Sequence, residues 1–285
     1  STLLTPAFIF WAGGAIVLMQ RRGWQDTIDW FEQQPEYLRL AMAIAAFLLI
    51  AISAVVIQRF DLAVLRFLEG YWPRWLNPLR RWRIAQAAKR SRKIGDRWQA
   101  LAQINPAQLT PQQRDDLAQF DWQQRQMPLP HESMPTQLGN LLRAAERKPK
   151  EKYGLDAIIC WSRLWLLLPD AAKQDLQAAR ADLNTAARVW LWSMLFCGWA
   201  LLSLEFSPSF TVNLWALWPL LGLLSAWLAY QWAIAAAQIY GELIEASFDL
   251  YRHLLYESLR WHLPADPNVE RRVGAELTEY LWRGF

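Results

Sequence analysis

Four apolar stretches arranged as two close pairs constrain this chain more than any other feature: Leu3 to Met19 with Leu40 to Ile57, and Val189 to Leu204 with Val212 to Ala237. A hydrocarbon slab about 30 Å thick is crossed by roughly 20 helical residues. A backbone in lipid must also satisfy its own N–H and C=O groups, which a helix does. The expectation is an all-α membrane protein with about four transmembrane helices in two hairpins. Leu40 to Ile57 carries no charge. Val212 to Ala237 is longer than the slab requires and must tilt or extend past it. The first stretch holds Gly13 and Gly14, and the third needs Ala186 and Ala187 to complete its length. The main rival to four spans is a first segment that enters only one leaflet.

The 19 Trp residues support this solvent assignment, because an indole has an apolar body and a wet N–H and settles at headgroup depth. Trp11, Trp72, Trp75, Trp190, Trp192, Trp215, Trp218 and Trp232 all fall near expected span ends. Orientation follows from counting Lys and Arg in the connections. Residues 58–187 hold 21 of them against 13 Asp and Glu, residues 20–39 hold three, and the Glu205 to Thr211 turn holds none. The long middle and the tail are therefore expected in the cytoplasm with both termini, although Arg21 and Arg22 dissent. Ser1 to Thr5 lacks a basic n-region, so the first stretch is expected to stay attached.

Four regions result: 1–57, a first hairpin whose outer connection is amphipathic; 58–185, a basic cytoplasmic helical domain; 186–237, a second hairpin; and 238–285, a cytoplasmic helical extension and tail. In the outer connection Trp24, Ile28 and Phe31 share one helical face, which suits a helix lying on the membrane surface. In the basic domain eight cations, Arg80, Arg81, Arg83, Lys89, Arg90, Arg92, Lys93 and Arg97, accompany one acid. Such a segment beside a span attracts anionic lipid headgroups at about 1 kcal/mol per charge. Nucleic acid would meet the same cations through its phosphates, but the adjacent bilayer makes it the weaker expectation.

Thr110 before Pro111 is a helix start, an N-cap followed by a first-turn Pro, and predicts a short helix to Gln126. Met127 to Met134 reads as a linker. Gly154 and Asp156 read as the end of one helix and the cap of the next. Ala157 to Leu168 is apolar but too short to cross. A helix starting at Pro169 and Asp170 continues into the third stretch with Leu176, Leu183 and Trp190 on a seven-residue seam. The fourth meets no breaker other than Gly241 between Gly222 and His262, so two long antiparallel helices are expected to project into the cytoplasm.

The fourth helix carries two stripes. Ser225, Ala229, Ala233, Ala237 and Gly241 recur every four residues, the spacing that lets helix backbones approach in lipid. Gln231, Gln238, Glu242, Glu245 and Asp249 return to nearly one angle at 100° per residue. That second stripe is either an ordinary wet face, a cation-attracting vestibule if copies assemble around an axis, or a partner for the basic domain.

Enzyme chemistry is not expected. His131, His253 and His262 have no zinc spacing, no phosphate loop or nucleophile elbow is present, and Cys160 and Cys197 read as buried apolar residues. Neither metal nor cofactor is expected.

The boxes Phe10-Trp11-Ala12-Gly13-Gly14, Glu69-Gly70-Tyr71-Trp72-Pro73, Pro135 to Glu146, Tyr153-Gly154-Leu155-Asp156-Ala157 and Trp161 to Pro169 together resemble a family of uncharacterised bacterial integral-membrane proteins. The resemblance implies a bacterial membrane setting and that these boxes matter to the fold, and it brings no established activity; the expected location is the inner membrane. Two functions fit: a self-assembling, channel-like or pore-forming homo-oligomer controlled by its cytoplasmic domain, or a non-conducting anchor that recruits a cytoplasmic protein partner.

Overall fold

A computed structural model describes residues 4–203 and 218–284. Leu3, the Glu205 to Thr211 turn, Trp215 and the first residues of the fourth apolar stretch lie outside the described residues. Among the described residues all regular structure is helical. The helices are α1 (Leu4–Arg22), α2 (Trp24–Glu32), α3 (Glu36–Gln58), α4 (Asp61–Glu69), α5 (Asn77–Ala102), α6 (Pro111–Arg125), α7 (Gln137–Tyr153), α8 (Ala157–Leu167), α9 (Asp170–Ser203), α10 (Trp218–Ser258) and α11 (Pro267–Arg283). They form two compact units, Ser1–Leu65 with Asp182–Ala233, and Arg66–Ala181 with Ile234–Phe285. Helices α9 and α10 contribute to both.

Two described helices are long and apolar enough to cross a membrane, α3 and the Pro219–Ser258 length of α10. A third follows if the bent pair α1 and α2 counts as one span. Their axes meet at 103°, and the bend sits at Gly23, whose φ of +94° belongs to the left-handed region. Helix α2 buries none of its residues. Trp24, Ile28 and Phe31 stay exposed on it. The apolar end of α9 runs from Val189 to Ser203, where description stops.

In the first unit, glycine that looks like a weakness in α1 is a point of close approach. A Cβ on Gly13 would lie 2.3 Å from the Phe196 ring and one on Gly14 2.7 Å from the Trp199 ring. Phe10 stacks between Trp192 and Trp199 at 5.0 and 5.4 Å. Trp11 Nε1 donates to Ser53 Oγ on α3 at 3.1 Å. Arg188 of α9 binds Asp61 at the start of α4 with both arms of its guanidinium, Nε to Oδ1 at 2.7 Å and Nη2 to Oδ2 at 2.5 Å, the two-point geometry that only Arg offers a carboxylate.

In the second unit local signals set the helix ends. Thr110 and Gln113 form a reciprocal capping box that starts α6. Thr136 Oγ1 accepts from Gly139 N at 3.1 Å to start α7. Gly154, at φ +74°, ends α7, and Asp156 caps α8 by accepting from Ile158 N at 3.0 Å. Helix α10 stops at Ser258, four residues short of the expected His262. No glycine is needed: Arg260 takes φ +55°, and Trp261 N donates back to Tyr256 O at 2.8 Å, closing a wide C-terminal turn.

The core of this unit is built from Leu155, Cys160, Leu164, Leu176, Phe248, Leu255, Tyr256 and Leu277, all 2% exposed or less. Burying one such side chain contributes about 1.5–3 kcal/mol. Apolar α8 buries Ala157, Cys160 and Leu164, and desolvation raises the Cys160 thiol to about 11, so it stays protonated. Two glycines lock α7 to α11 reciprocally. A Cβ on Gly154 would lie 2.0 Å from Arg271 O, and one on Gly274 would lie 2.0 Å from Tyr153 O. Gly274→Ala is therefore expected to lower stability by about 1–3 kcal/mol through overpacking, read as a lower midpoint in thermal unfolding of the detergent-solubilised chain. Gly95→Ala, where a Cβ meets nothing within 4 Å, is the control and leaves the midpoint the same or higher.

Candidate functional site

Helix α5 is a 26-residue helix started by Pro78 in its first turn. Arg81, Arg83, Lys89, Arg90, Arg92, Lys93 and Arg97 are exposed on it and Arg80 is half-buried. Among the described residues, none of these eight cations forms an ion pair with a carboxylate. Of these eight side chains only Arg83 donates a hydrogen bond among the described residues, from Nε to Pro135 O at 3.3 Å. The eight cations of the basic segment lie on one continuous helix, spread around its circumference, and no carboxylate among the described residues neutralises them.

The acidic stripe of α10 is in a different electrostatic state. Glu245 pairs with Lys148 and, at 2.7 Å, with Lys152. Asp249 lies 3.1 Å from Lys152 Nζ and accepts from the Tyr153 hydroxyl at 2.6 Å. The lysines and the tyrosine all belong to α7. Burial pulls Lys152 down, but its hydrogen bonds to Glu245 and Asp249 outweigh this and hold it above its ordinary value. Burial and the bond to Asp249 both push the Tyr153 hydroxyl up. Glu242 and Gln231 remain exposed, and Gln238 is half-buried. Two of the three acids in the stripe are thus paired within the chain.

The small-residue stripe is also used internally. Ser225 Oγ and Ser193 Oγ are 2.8 Å apart, Ala229, Ala233 and Ala237 are at most 3% exposed, and a Cβ on Gly241 would lie 2.9 Å from Ala145 Cβ of α7. Ser225 and Gly241 of the stripe thus meet neighbours within this same chain.

A crevice of about 320 Å³ opens between α5, α6 and the segment that leads into α7. Sequence reasoning did not find it, because Met127 to Met134 reads as a linker. The structure corrects this: Pro128, Ser133 and Met134 are buried. Asn140 explains why. Its Oδ1 accepts from Met134 N at 2.7 Å, and its Nδ2 donates to Met134 O at 3.0 Å and Thr136 O at 2.8 Å. The segment is fixed as a wall, and Asn140 within the Pro135 to Glu146 box was the available signal. Arg83, Arg90 and Gln238 all line the crevice, so it gathers residues from both the basic surface and the polar stripe.

Glu69 and Glu146 form a second electrostatic feature of this unit. Burial is the main cause that holds each carboxyl above its ordinary value, their mutual repulsion adds to it at Glu69, and Arg180 opposes it there. Among the described residues no group of His, Cys, Asp and Glu has the geometry to hold a metal ion. Comparison of the chain with protein-family models, curated proteins and solved structures finds no match.

An acid raised on folding binds its proton more tightly in the folded state. Its favourable contribution is complete below the ordinary value of 4.5 and is lost as pH rises through the raised value. Glu146→Gln is therefore expected to raise the thermal midpoint over wild type at pH 7.5, with the advantage shrinking on acidification and vanishing near pH 4.5. An advantage independent of pH would show that packing, not ionisation, is responsible.

Proposed function

We propose that the chain is a non-conducting anchor and scaffold of the bacterial inner membrane. In this reading four spans in two hairpins hold it in the bilayer, both termini and residues 58–185 face the cytoplasm, and it performs no catalysis. The basic surface of α5 engages anionic headgroups and presents the helical domain to a cytoplasmic protein partner.

One observation carries the choice between anchor and pore: the distribution of unpaired charge. A vestibule ring needs acids free to attract cations, and Glu245 and Asp249 already bind Lys148, Lys152 and Tyr153. The cations of α5, by contrast, have no carboxylate partner among the described residues. At about 1 kcal/mol per cation near an anionic surface, the five exposed cations outside the crevice, Arg81, Lys89, Arg92, Lys93 and Arg97, amount to several kcal/mol, enough to hold a helix at such a surface in low salt and less in high salt.

Proteoliposomes test both halves. Trypsin cleavage within 77–102 is expected to slow several-fold when phosphatidylglycerol replaces part of the phosphatidylcholine. Substituting Arg81, Lys89, Arg92 and Lys93 by Gln, or raising the salt, abolishes this protection. Potassium efflux is expected to match protein-free vesicles. Efflux above that level that falls in Glu242→Gln would overturn the anchor reading in favour of the pore.

A further inference from the structure

We propose that the crevice between α5, α6 and residues 128–137 binds a phosphate-bearing, hydroxyl-rich group, a sugar or cyclitol phosphate presented either free or as a lipid headgroup. Its volume of about 320 Å³ falls within the range of small-molecule sites, about 300–1,000 Å³. The lining contains two guanidinium groups, Arg83 and Arg90, and no carboxylate. A site of that composition selects an anion, and guanidinium forks suit phosphate oxygens. Arg83 is aimed by the bond from its Nε to Pro135 O, which leaves its two terminal nitrogens without an acceptor among the described residues. Arg90, one face-repeat further along α5, has no partner among the described residues.

A simple anion would need only the arginines. Five glutamines also line the crevice, Gln86, Gln123, Gln126, Gln137 and Gln238. Their side chains make no hydrogen bond among the described residues, so each offers both a carbonyl acceptor and an N–H donor. Paired donors and acceptors match hydroxyl groups, which need both. Trp122, 56% exposed, adds an indole at the rim on which a ring can stack.

The opposite wall is preorganised. Asn140 fixes Met134 at both its N–H and its C=O, Ser91 Oγ donates to Pro128 O at 3.4 Å, and a Cβ on Gly70, at φ +104°, would lie 2.3 Å from the Pro135 ring. A wall held this way does not have to be ordered when a ligand enters, which removes one cost of binding.

The site stands apart from the lipid contact proposed for the outer cations, and the experiment separates them. The full chain in neutral detergent, without anionic lipid, is titrated calorimetrically with glucose 1-phosphate, inositol 1-phosphate, glucose and inorganic phosphate. At least one of the two phosphorylated rings is expected to bind about tenfold more tightly than glucose or phosphate alone. Arg83→Gln and Arg90→Gln should each weaken it about tenfold, the effect of losing a hydrogen bond to a charged group. Trp122→Ala weakens it as well, and Arg81→Gln, outside the crevice, leaves it unchanged.

Nanodiscs distinguish the source. Phosphatidylinositol that displaces the soluble ligand assigns the site to a headgroup, and displacement absent from phosphatidylinositol discs assigns it to a free ligand. Failure of both phosphorylated rings to bind, affinity for inorganic phosphate equal to theirs, or binding unchanged in the Arg83→Gln Arg90→Gln double variant would overturn the proposal. Arg90 and Trp122 are exposed, so their variants read binding without a loss of core packing.

Discussion

Lys152 sits between Glu245 and Asp249, and Lys148 holds Glu245 from the other side. This join between α7 and α10 pairs two of the three acids on the polar stripe of α10. It extends further: Arg252 stacks over the Tyr153 ring at 4.0 Å and binds Glu270 of α11 at 2.7 Å. Removing one partner from a half-buried set leaves the other charge desolvated and unpaired, which costs more than the modest gain of a surface pair. The network therefore fixes α7, α10 and α11 as one electrostatic group, and the cations of α5 take no part in it.

The same three helices depend on contacts in which no side chain intervenes. Where Gly154 meets Arg271 O and Gly274 meets Tyr153 O, backbone touches backbone. The turn between them is satisfied by Thr278, whose hydroxyl accepts from Asp156 N at 3.1 Å and donates to Gly154 O at 3.2 Å. A loop between two helices leaves polar groups unpaired unless something caps them. Here the third helix supplies the cap, so the α7–α8 turn and the position of α11 are fixed together.

What the sequence made legible follows from how local each signal is. Apolar length identified α3 and α10. The Thr110–Pro111 start, the Gly154 stop and the Asp156 cap were readable because each acts within one helical turn. The stop after Ser258 was not, because Arg260 adopts a left-handed conformation that residue type does not announce. Pairing of the α10 acids was one alternative among three. A helical wheel shows that Glu245 and Asp249 share a face but not which helix, 97 residues earlier in the chain, lies against it. The crevice was invisible for the same reason: Arg83 and Gln126 have no periodic relation, and a Pro-rich stretch looks flexible until the contacts of Asn140 are seen.

That Pro-rich stretch shows why composition misled. Pro128, Pro130 and Pro135 cannot donate backbone hydrogen bonds and disfavour a longer helix, so the segment contributes only the short 3-10 turn Pro130–Glu132, too little regular structure for a site to be inferred from it. The same property makes it a suitable wall. Proline loses little conformational entropy when fixed, and its carbonyl remains free to accept. Pro128 and Pro135 accept from Ser91 and Arg83 of α5. Those two bonds hold the wall to the helix that carries the unpaired cations, and the arginine that forms one of them keeps its outer nitrogens for something else. A basic helix with no wall would attract any anion in proportion to charge. With the wall in place, part of that charge faces a defined space lined by carboxamides, where shape and hydroxyl pattern discriminate among anions that charge alone would treat alike.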